Sequence, residues 1–286
     1  MNSMRDIGLI LEGGGMRGIY TAGVLDFFLD QDLEFKNCYG VSAGSCHACS
    51  YISRQRGRAY AISVDYLDDP RYCSLKSLIQ TGDMFGADMC YHLIPDELNP
   101  YDYDTVDKYD GTFYAVVTNI TTGKAEYIPI KDSRKDIIAI QASSSLPLLS
   151  RNVKIGDNEY LDGGIADSIP IRKSIQDGHK KNVLILTRDP SYRKSPNKLL
   201  PILDRKYKEY PNLVKQMARR HIHYNNTLDF IEKEKEAGRA FVIQPKEPVK
   251  IRRIEKDKEK LKSLYETGYQ DAANCYEDLK KFLELS

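Results

Sequence analysis

The sequence has 286 residues and a nearly balanced charge, with 42 lysines and arginines against 41 aspartates and glutamates. This length fits one large α/β domain or two small ones, and the balance argues against a nucleic-acid-binding protein, which would carry a basic excess. No apolar run approaches a membrane span, and six cysteines in a chain of this size do not indicate a disulfide framework. We therefore expect a cytoplasmic protein with reduced thiols and no nucleic-acid partner.

The first fifty residues predict alternating strands and helices joined by glycine-rich turns. Residues 7–11 form an apolar run of strand length, and the segment 13–18 that follows reads Gly-Gly-Gly-Met-Arg-Gly. Apolar residues between 19 and 29 then repeat at helical spacing, and a second short strand leads to Gly40. The predicted order is strand, glycine loop, helix, strand, tight turn and helix.

The tight turn has the G-x-S-x-G pattern of a nucleophile elbow, with Gly40, Ser42 and Gly44 as its defining residues. In such an elbow a strand turns sharply into a helix, and the serine stands at the apex. Gly40 and Gly44 allow the two backbones to approach closely, and the helix N-terminus favours negative charge developing near Ser42. Ser42 is therefore the predicted nucleophile.

Two functions are open for the glycine loop. Gly13, Gly15 and Gly18 satisfy G-x-G-x-x-G between a strand and a helix, which predicts a nucleotide-dependent oxidoreductase. The second strand, however, ends in the elbow and not in the acidic residue that binds the ribose at such sites. Alternatively, the clustered N–H groups of Gly13, Gly14 and Gly15 form an oxyanion hole, and Arg17 adds a positive charge nearby.

Two segments after the elbow have no clear chemistry. Cys46 and Cys49 lie one helical turn apart, but no second C-x-x-C completes a metal site, so packing of the elbow helix is the favoured role. Residues 68–110 predict irregular or short helical structure with scattered apolar residues, including Met84, Phe85 and Met89. They are equally well interpreted as a small satellite cluster or as a cap over an apolar substrate channel.

The middle of the chain contains a candidate base. Strands are predicted at 112–118 and 125–130, a helix at 137–143, a helix between Pro170 and Gly178, and a buried strand at 183–186. Asp162 precedes Gly163 and Gly164, which by itself indicates only a turn. Asp162 gains a function if the fold carries it back to Ser42.

After residue 199 the composition becomes strongly charged. We expect a basic helical region around Pro211, a last strand at 240–244 and a mixed-charge helical tail over 254–285, with the charge forming a solvated face. The predicted organisation is a catalytic domain over residues 1–190 and a C-terminal helical extension over 191–286 that contains one strand and packs on the same domain.

The motifs at 13–18, 40–44 and 162–164, with the segment Gln141–Pro147, closely resemble the patatin-like phospholipase family, and its bacterial members in particular. The resemblance covers residues 7 to about 188. It implies an α/β fold with three α/β/α layers around a mainly parallel sheet. It also implies a dyad in which Ser42 is the nucleophile and Asp162 the base, with Gly13, Gly14, Gly15 and Arg17 lining the oxyanion hole. Gly164 stands where many relatives have alanine.

This resemblance predicts a serine acyl hydrolase that cleaves a fatty-acyl ester of a lipid without a cofactor or metal. None of the five histidines stands in a recognisable triad position. The alternatives are the oxidoreductase above and a non-catalytic protein that docks on membranes through the basic helix. The expected partner is a lipid or another acyl ester; peripheral contact with a membrane surface and the oligomeric state are left open.

Overall fold

The computed structural model describes residues 4–284. Residues 1–3 and 285–286 lie outside the described residues. They include the start of the predicted catalytic domain (1–190), the end of the predicted C-terminal extension (191–286) and Leu285 of the predicted helical tail. The strands are β1 (Ile7–Leu11), β2 (Asn37–Val41), β3 (Thr112–Asn119), β4 (Ala125–Pro129), β5 (Val153–Ile155), β6 (Asn158–Asp162), β7 (Lys181–Ile185) and β8 (Ala240–Ile243).

Helices connect and cover these strands. The α-helices are α1 (Ile19–Asp30), α2 (Ala43–Ile52), α3 (Arg58–Val64), α4 (Leu75–Thr81), α5 (Tyr103–Asp107), α6 (Ile137–Ser143), α7 (Ile171–Gln176), α8 (Leu200–Lys206), α9 (Pro211–Glu236), α10 (Lys258–Asn274) and α11 (Tyr276–Leu283). A π-helix spans Met89–Leu98. Within residues 4–284, none of the helices is both long and apolar enough to cross a membrane.

One sheet runs through the molecule in the order β5-β6-β3-β2-β1-β7-β8, and β4 pairs with β3 beside this path. The pairs β1–β2, β1–β7, β2–β3 and β7–β8 are parallel, whereas β4, β5 and β6 join antiparallel. The predicted α/β class with a mainly parallel sheet is therefore confirmed. The continuous apolar runs of β1 and β7 arise because both strands are covered on both faces.

Alternate residues of the strands face two separate cores. Leu9 and Leu11 of β1 point to the core that contains α1, α2 and α10. Ile10, between them, points to the core on the opposite face, where it joins Ile171 of α7 and Tyr224 of α9. Since successive side chains of a strand alternate between faces, these two cores define three layers, as the resemblance implies.

The pairing of β3 brings two strand ends together. Residues 112–116 of β3 pair with β2, residues 117–119 pair with β6, and residues 114–118 pair with β4. Because β4 overlaps both of the others, β2 and β6 must lie end to end along the opposite edge of β3. Val41 pairs with Val116 and Asp162 pairs with Val117, so the last residues of β2 and β6 meet.

The region after residue 190 completes this same sheet. β8 pairs in parallel with β7, and α10 packs along α1. The two helices approach closely at glycines: a Cβ on Gly268 would lie 2.1 Å from the Tyr20 carbonyl oxygen, and one on Gly23 would lie 2.0 Å from that of Tyr265. The hydroxyl of Tyr20 also donates to Asp271 at 2.9 Å.

Candidate active site

Ser42 stands at a sharp turn between β2 and α2. Its φ of 54° and ψ of −125° are strained for a residue with a side chain, as at other sites where structure around a reactive group fixes the backbone. A Cβ on Gly40 would lie 2.5 Å from Ser45 Cα, and one on Gly44 would lie 2.4 Å from the Leu11 carbonyl oxygen. Only glycine fits at both flanks of this turn.

The backbone of Ser42 is held from both sides. Its N–H donates to Ser143 Oγ at 2.9 Å, and its carbonyl oxygen accepts from Ser45 N at 2.9 Å. Ser143 ends α6 and is completely buried. The sequence indicated no elbow around this serine, and the structure gives it a supporting position that only the fold reveals.

Asp162 ends β6 and is not part of a free turn. Its N–H donates to the Ser145 carbonyl at 2.8 Å, and its own carbonyl accepts from Thr118 Oγ1 at 2.8 Å. In the side chain, Oδ1 accepts from Gly164 N at 2.7 Å, whereas Oδ2 is buried and has no hydrogen-bond partner within residues 4–284. One carboxylate oxygen is thus fixed and the other is free to accept a proton.

The glycines that follow Asp162 allow this strand end to approach β3. A Cβ on Gly163 would lie 2.0 Å from the Val116 carbonyl oxygen, so a side chain cannot be placed there. A Cβ on Gly164 would lie 3.0 Å both from Asp162 Oδ1 and from Arg220 Nη2. Gly163 therefore allows a close backbone approach to β3, whereas Gly164 leaves room for the side chains of Asp162 and Arg220.

The glycine loop lies directly against the elbow. A Cβ on Gly13 would lie 2.8 Å from Ser42 Cβ, and one on Gly14 would lie 2.9 Å from Thr187 Oγ1. Gly15 has a φ of +58°, and a Cβ there would lie 2.6 Å from the Arg253 carbonyl oxygen. Gly13 is therefore the glycine whose missing side chain leaves room beside the serine.

Glu12 ties the glycine loop to the rest of the site, and no sequence pattern pointed to it. The carboxylate is buried and accepts from Thr187 N at 2.7 Å, from Thr187 Oγ1 at 3.0 Å and from the Tyr224 hydroxyl at 2.6 Å. These contacts fasten the loop after β1 to the loop after β7 and to α9. The role of Glu12 depends on contacts between distant parts of the chain, so only the folded structure identifies it.

An apolar cavity of about 160 Å³ opens on one side of Ser42. Its lining includes Met16, Ile19, Tyr72, Phe85, Cys46, Cys49, Cys90, Tyr91, Pro95, Tyr101, Ile140 and Leu146. The segment 68–110 therefore borders it through Phe85 and several tyrosines. Met84 and Met89 do not line the cavity, because both are buried in the core beneath it. Cys46 and Cys49 of α2 both line the apolar cavity, and burial raises the pKa of Cys49 to about 12.

Histidines do not form a triad around Ser42. His47 is buried and lines the apolar cavity, and burial lowers its pKa to about 4, so the ring is neutral at pH 7. His179 is half-buried, with Nδ1 at 3.0 Å from the Ser174 carbonyl oxygen. Neither His179 nor His221 nor His223 lines the two cavities that meet at Ser42.

A second, polar cavity of about 390 Å³ opens on the other side of Ser42. It contains Asp162, Glu12 and the three loop glycines, together with six cationic side chains: Arg17, Arg188, Lys194, Arg220, Arg252 and Arg253. The expectation of a wholly solvated basic face on the C-terminal helices is therefore wrong for Arg220, which α9 turns inward. The two cavities share Gly15, Ser42 and Leu146.

No cluster of three or more metal-ligating side chains occurs in the part of the chain that the structure describes. The polar groups around Ser42 are amides, hydroxyls, cations and the two carboxylates of Glu12 and Asp162. Ala43 and Gly44 open α2 directly after Ser42, and the N–H groups of a first helical turn have no partner within the helix. The arrangement offers a nucleophile, a proton acceptor and N–H donors at one point.

Comparisons with known proteins agree on the family. The model of the family described as "Patatin-like phospholipase" matches residues 9–174, and one described as a domain of unknown function, DUF6363, matches residues 210–284. The uncharacterized protein YjjU of Escherichia coli K12 is 30% identical over 255 residues, which are 85% of this chain and 69% of that protein.

Two further likenesses are more distant. A probable lipid hydrolase, 463L, of Invertebrate iridescent virus 6 is 23% identical over 190 residues, covering 61% of this chain and 65% of the viral protein. The crystal structure of VipD from Legionella pneumophila superimposes with a TM-score of 0.52 at 13% identity, covering 95% of this chain and 67% of that chain. The latter likeness is one of fold.

Proposed function

The chain belongs to the patatin-like phospholipase family and is a hydrolase acting on ester bonds, and on this premise we propose that Ser42 attacks a fatty-acyl ester of a lipid with Asp162 as its base. Membership of a hydrolase family speaks against the two alternatives considered from the sequence, an oxidoreductase and a non-catalytic docking protein. The observation that carries the proposal is the meeting of the ends of β2 and β6 on one edge of β3, which brings Ser42 and Asp162 into the lining of one cavity and leaves Asp162 Oδ2 without a hydrogen-bond partner.

The proposed reaction has two halves. In the first, Ser42 Oγ attacks the ester carbonyl carbon while its proton passes to Asp162 Oδ2, and the carbonyl oxygen becomes negative. Collapse of this tetrahedral intermediate breaks the bond to the alcohol oxygen, which takes the proton from Asp162. In the second half, water attacks the acyl-serine, gives its proton to Asp162, and releases the fatty acid as the proton returns to Ser42.

Backbone amides supply the oxyanion hole in this proposal. Within residues 4–284, the N–H groups of Gly13, Gly14 and Gly15 donate no hydrogen bond to another protein group, whereas Met16 N donates to the Arg253 carbonyl at 2.9 Å. Amides held without a partner beside a nucleophile stabilise a developing oxyanion, and losing one such donor elsewhere costs about 2.7 to 4 kcal/mol of transition-state stabilisation. Arg17 adds positive charge on the same side.

The apolar cavity is the proposed site of the acyl chain. It begins at Ser42 and Leu146 and continues between α2 and the segment that carries Phe85 and Tyr91. An apolar chain placed there leaves water, and the ester carbonyl then lies between the nucleophile and the glycine loop. The alcohol part of the ester consequently points into the polar cavity.

Labelling with a fluorophosphonate tests the proposed nucleophile. We expect the reagent to modify Ser42, located by mass spectrometry of the digested protein, and Ser42→Ala to abolish both labelling and ester hydrolysis. Ser53→Ala provides the matched control, because Ser53 is buried at the end of α2 and lines neither cavity at Ser42. Modification at Ser143, Ser144 or Ser145 in the folded wild-type protein would overturn the assignment.

A further inference from the structure

The polar cavity beside Ser42 is lined by cations from four separate parts of the chain. Arg17 comes from the glycine loop, Arg188 and Lys194 follow β7, and Arg220 lies on α9. Arg252 and Arg253 come from the stretch before α10. We call the wall formed by these six residues the cationic wall. Its members span most of the sequence, so the fold alone brings them to one place.

The protein does not neutralise the cationic wall. Within residues 4–284, none of its six side chains forms an ion pair with a carboxylate within 4.0 Å, although sixteen other lysines and arginines do. The carboxylates lining the cavity are Glu12 and Asp162. Glu12 is occupied by Thr187 and Tyr224. Asp162 is assigned to the proton transfer.

Donors of this wall also lack hydrogen-bond acceptors. The buried Nε atoms of Arg17 and Arg220 have no partner within the described residues, and Arg17 Nη1 reaches only the Ile251 carbonyl at 3.4 Å. Buried guanidinium donors without acceptors are costly, and a bound anion would satisfy them. The same groups lie on the side of Ser42 to which the alcohol part of the ester points.

Crowding of like charges is visible in the acid–base properties of the wall. Burial, and then the neighbouring Arg220, lower the pKa of Lys194 to about 7. Burial, followed by Arg188 and Arg253, lowers the pKa of Arg17 to about 10. The charged forms of Lys194 and Arg17 are therefore disfavoured by their surroundings, and a bound anion would favour them.

Lys194 and Arg188 are nonetheless held firmly in place. The backbone of Lys194 makes two hydrogen bonds with the Asn225 side chain, at 2.8 and 3.0 Å. Its ammonium lies 4.3 Å from the centre of the Tyr224 ring, and the Arg188 guanidinium lies 4.5 Å from that of Tyr192. Aromatic faces attract cations without neutralising them, so this wall is preorganised and still positively charged.

We propose that the cationic wall binds a phosphate on the alcohol part of the substrate, so that the enzyme selects acyl esters whose head group carries an unbalanced negative charge. This proposal rests on the proposed function, because it assumes that Ser42 cleaves the ester between the two cavities. A head group that also carries a quaternary ammonium would place that cation against six others, while Glu12 is occupied and Asp162 serves the proposed proton transfer. Such zwitterionic esters are therefore rejected.

The test compares monomeric lysolipids with one acyl chain and different head groups, below their critical micelle concentrations. We expect kcat/KM to be at least about tenfold higher for lysophosphatidic acid or lysophosphatidylglycerol than for lysophosphatidylcholine, a difference of about 1.4 kcal/mol. We expect Lys194→Gln and Arg220→Gln to reduce this preference, through a raised KM for the anionic esters. Equal wild-type rates on all head groups, or a preference unchanged in both variants, would overturn the proposal.

Matched controls are available beside each variant. Lys198 and Arg219 are exposed and line neither cavity, so Lys198→Gln and Arg219→Gln should keep the wild-type preference. Retained wild-type melting temperatures in the two wall variants exclude loss of folding as the cause of a changed preference. If a control changes the preference as strongly as its neighbour does, general surface charge is responsible and the assignment to the cationic wall is wrong.

A further measurement separates this proposal from the function on which it rests. Calorimetry can measure the binding of inorganic phosphate to the Ser42→Ala protein, which does not depend on catalysis. Adding Lys194→Gln to that protein should weaken phosphate binding. Failure of Ser42→Ala to abolish hydrolysis of a neutral p-nitrophenyl ester would refute the proposed function alone. Phosphate binding that depends on Lys194, combined with equal rates on all lysolipids, would assign the wall to free phosphate and overturn head-group selection.

Discussion

Replacing Asp162 by asparagine separates the role of this side chain in proton transfer from its role in the fold. Asp162 Oδ1 accepts the Gly164 N–H at 2.7 Å, and only an oxygen can keep that contact. The asparagine carbonyl must therefore occupy the Oδ1 position, which places the NH2 group where the free Oδ2 now lies. At that point the variant carries a donor in place of an acceptor, and the hydroxyl of Ser42 loses its base.

The size of the effect follows from this exchange. Positioned general bases contribute about 10² to 10⁴ in rate, which corresponds to about 2.7 to 5.4 kcal/mol in the activation free energy. A buried amide donor without a partner costs about 1 to 3 kcal/mol of folding free energy. At about 2.1 cal/mol/K per residue, the unfolding entropy of 286 residues converts that cost into a melting temperature lower by about 2 to 5 °C.

The assay is hydrolysis of a short-chain p-nitrophenyl ester, with the melting temperature measured in parallel. Asp167→Asn is the matched control, because Asp167 is a nearby carboxylate that accepts the Tyr127 hydroxyl at 2.7 Å and lines neither of the cavities at Ser42. We expect Asp162→Asn to lose at least about a hundredfold in kcat and Asp167→Asn to stay within about threefold of wild type. A folded Asp162→Asn protein within tenfold of the wild-type rate would refute the dyad.

Three further results are expected. Gly13→Ala should lower kcat about a hundredfold or more on every ester, because the added Cβ would lie 2.8 Å from Ser42 Cβ. Gly178→Ala should not lower kcat, since no atom lies within 4 Å of a Cβ placed there. Similar rates for the two variants would mean that the glycine loop has no part in catalysis. His47→Ala should keep most of the activity on short esters, and a loss as deep as that of Asp162→Asn would replace the dyad by a triad. Phe85→Asp should lower the rate of hydrolysis of long-chain esters more than that of short-chain esters, since Phe85 lines the apolar cavity. Ile79→Asp, at an exposed position, should leave the dependence of the rate on chain length unchanged.

The parts of the fold that sequence could predict are those with a strong local pattern. The strand at 7–11 and the helix at 137–143 match β1 and α6 because continuous apolar runs and a proline stop leave few alternatives. The hairpin of β5 and β6 was not predicted, since its turn and polar edge residues, such as Asp157 and Glu159, carry no strand pattern. Asp162 consequently looked like a turn residue, although it ends a strand.

The same limit applies to the site. Ser42 and the loop glycines carry motifs whose spacing reflects backbone requirements, so the sequence identifies them directly. Arg220 and Glu12 have no such motif, and their positions depend on which face of α9 meets the sheet and on the loop after β7. Charge on a helix is usually solvated, and the direction in which one arginine points cannot be obtained from composition.

The end-to-end arrangement of β2 and β6 on β3 links catalytic competence to the order in which the chain assembles. β1, α1 and β2 are contiguous and can bring Ser42 to its strained turn early, using only local connections. Asp162, the proposed proton acceptor, lies on β6, which follows in the chain only after β3 and needs a loop closure with its own entropic cost. If Asp162 is the base of Ser42, as proposed, the serine keeps the low reactivity of a free alcohol until both strands have paired with β3. On that assignment a chain in which β3 has not yet paired with both strands cannot attack esters.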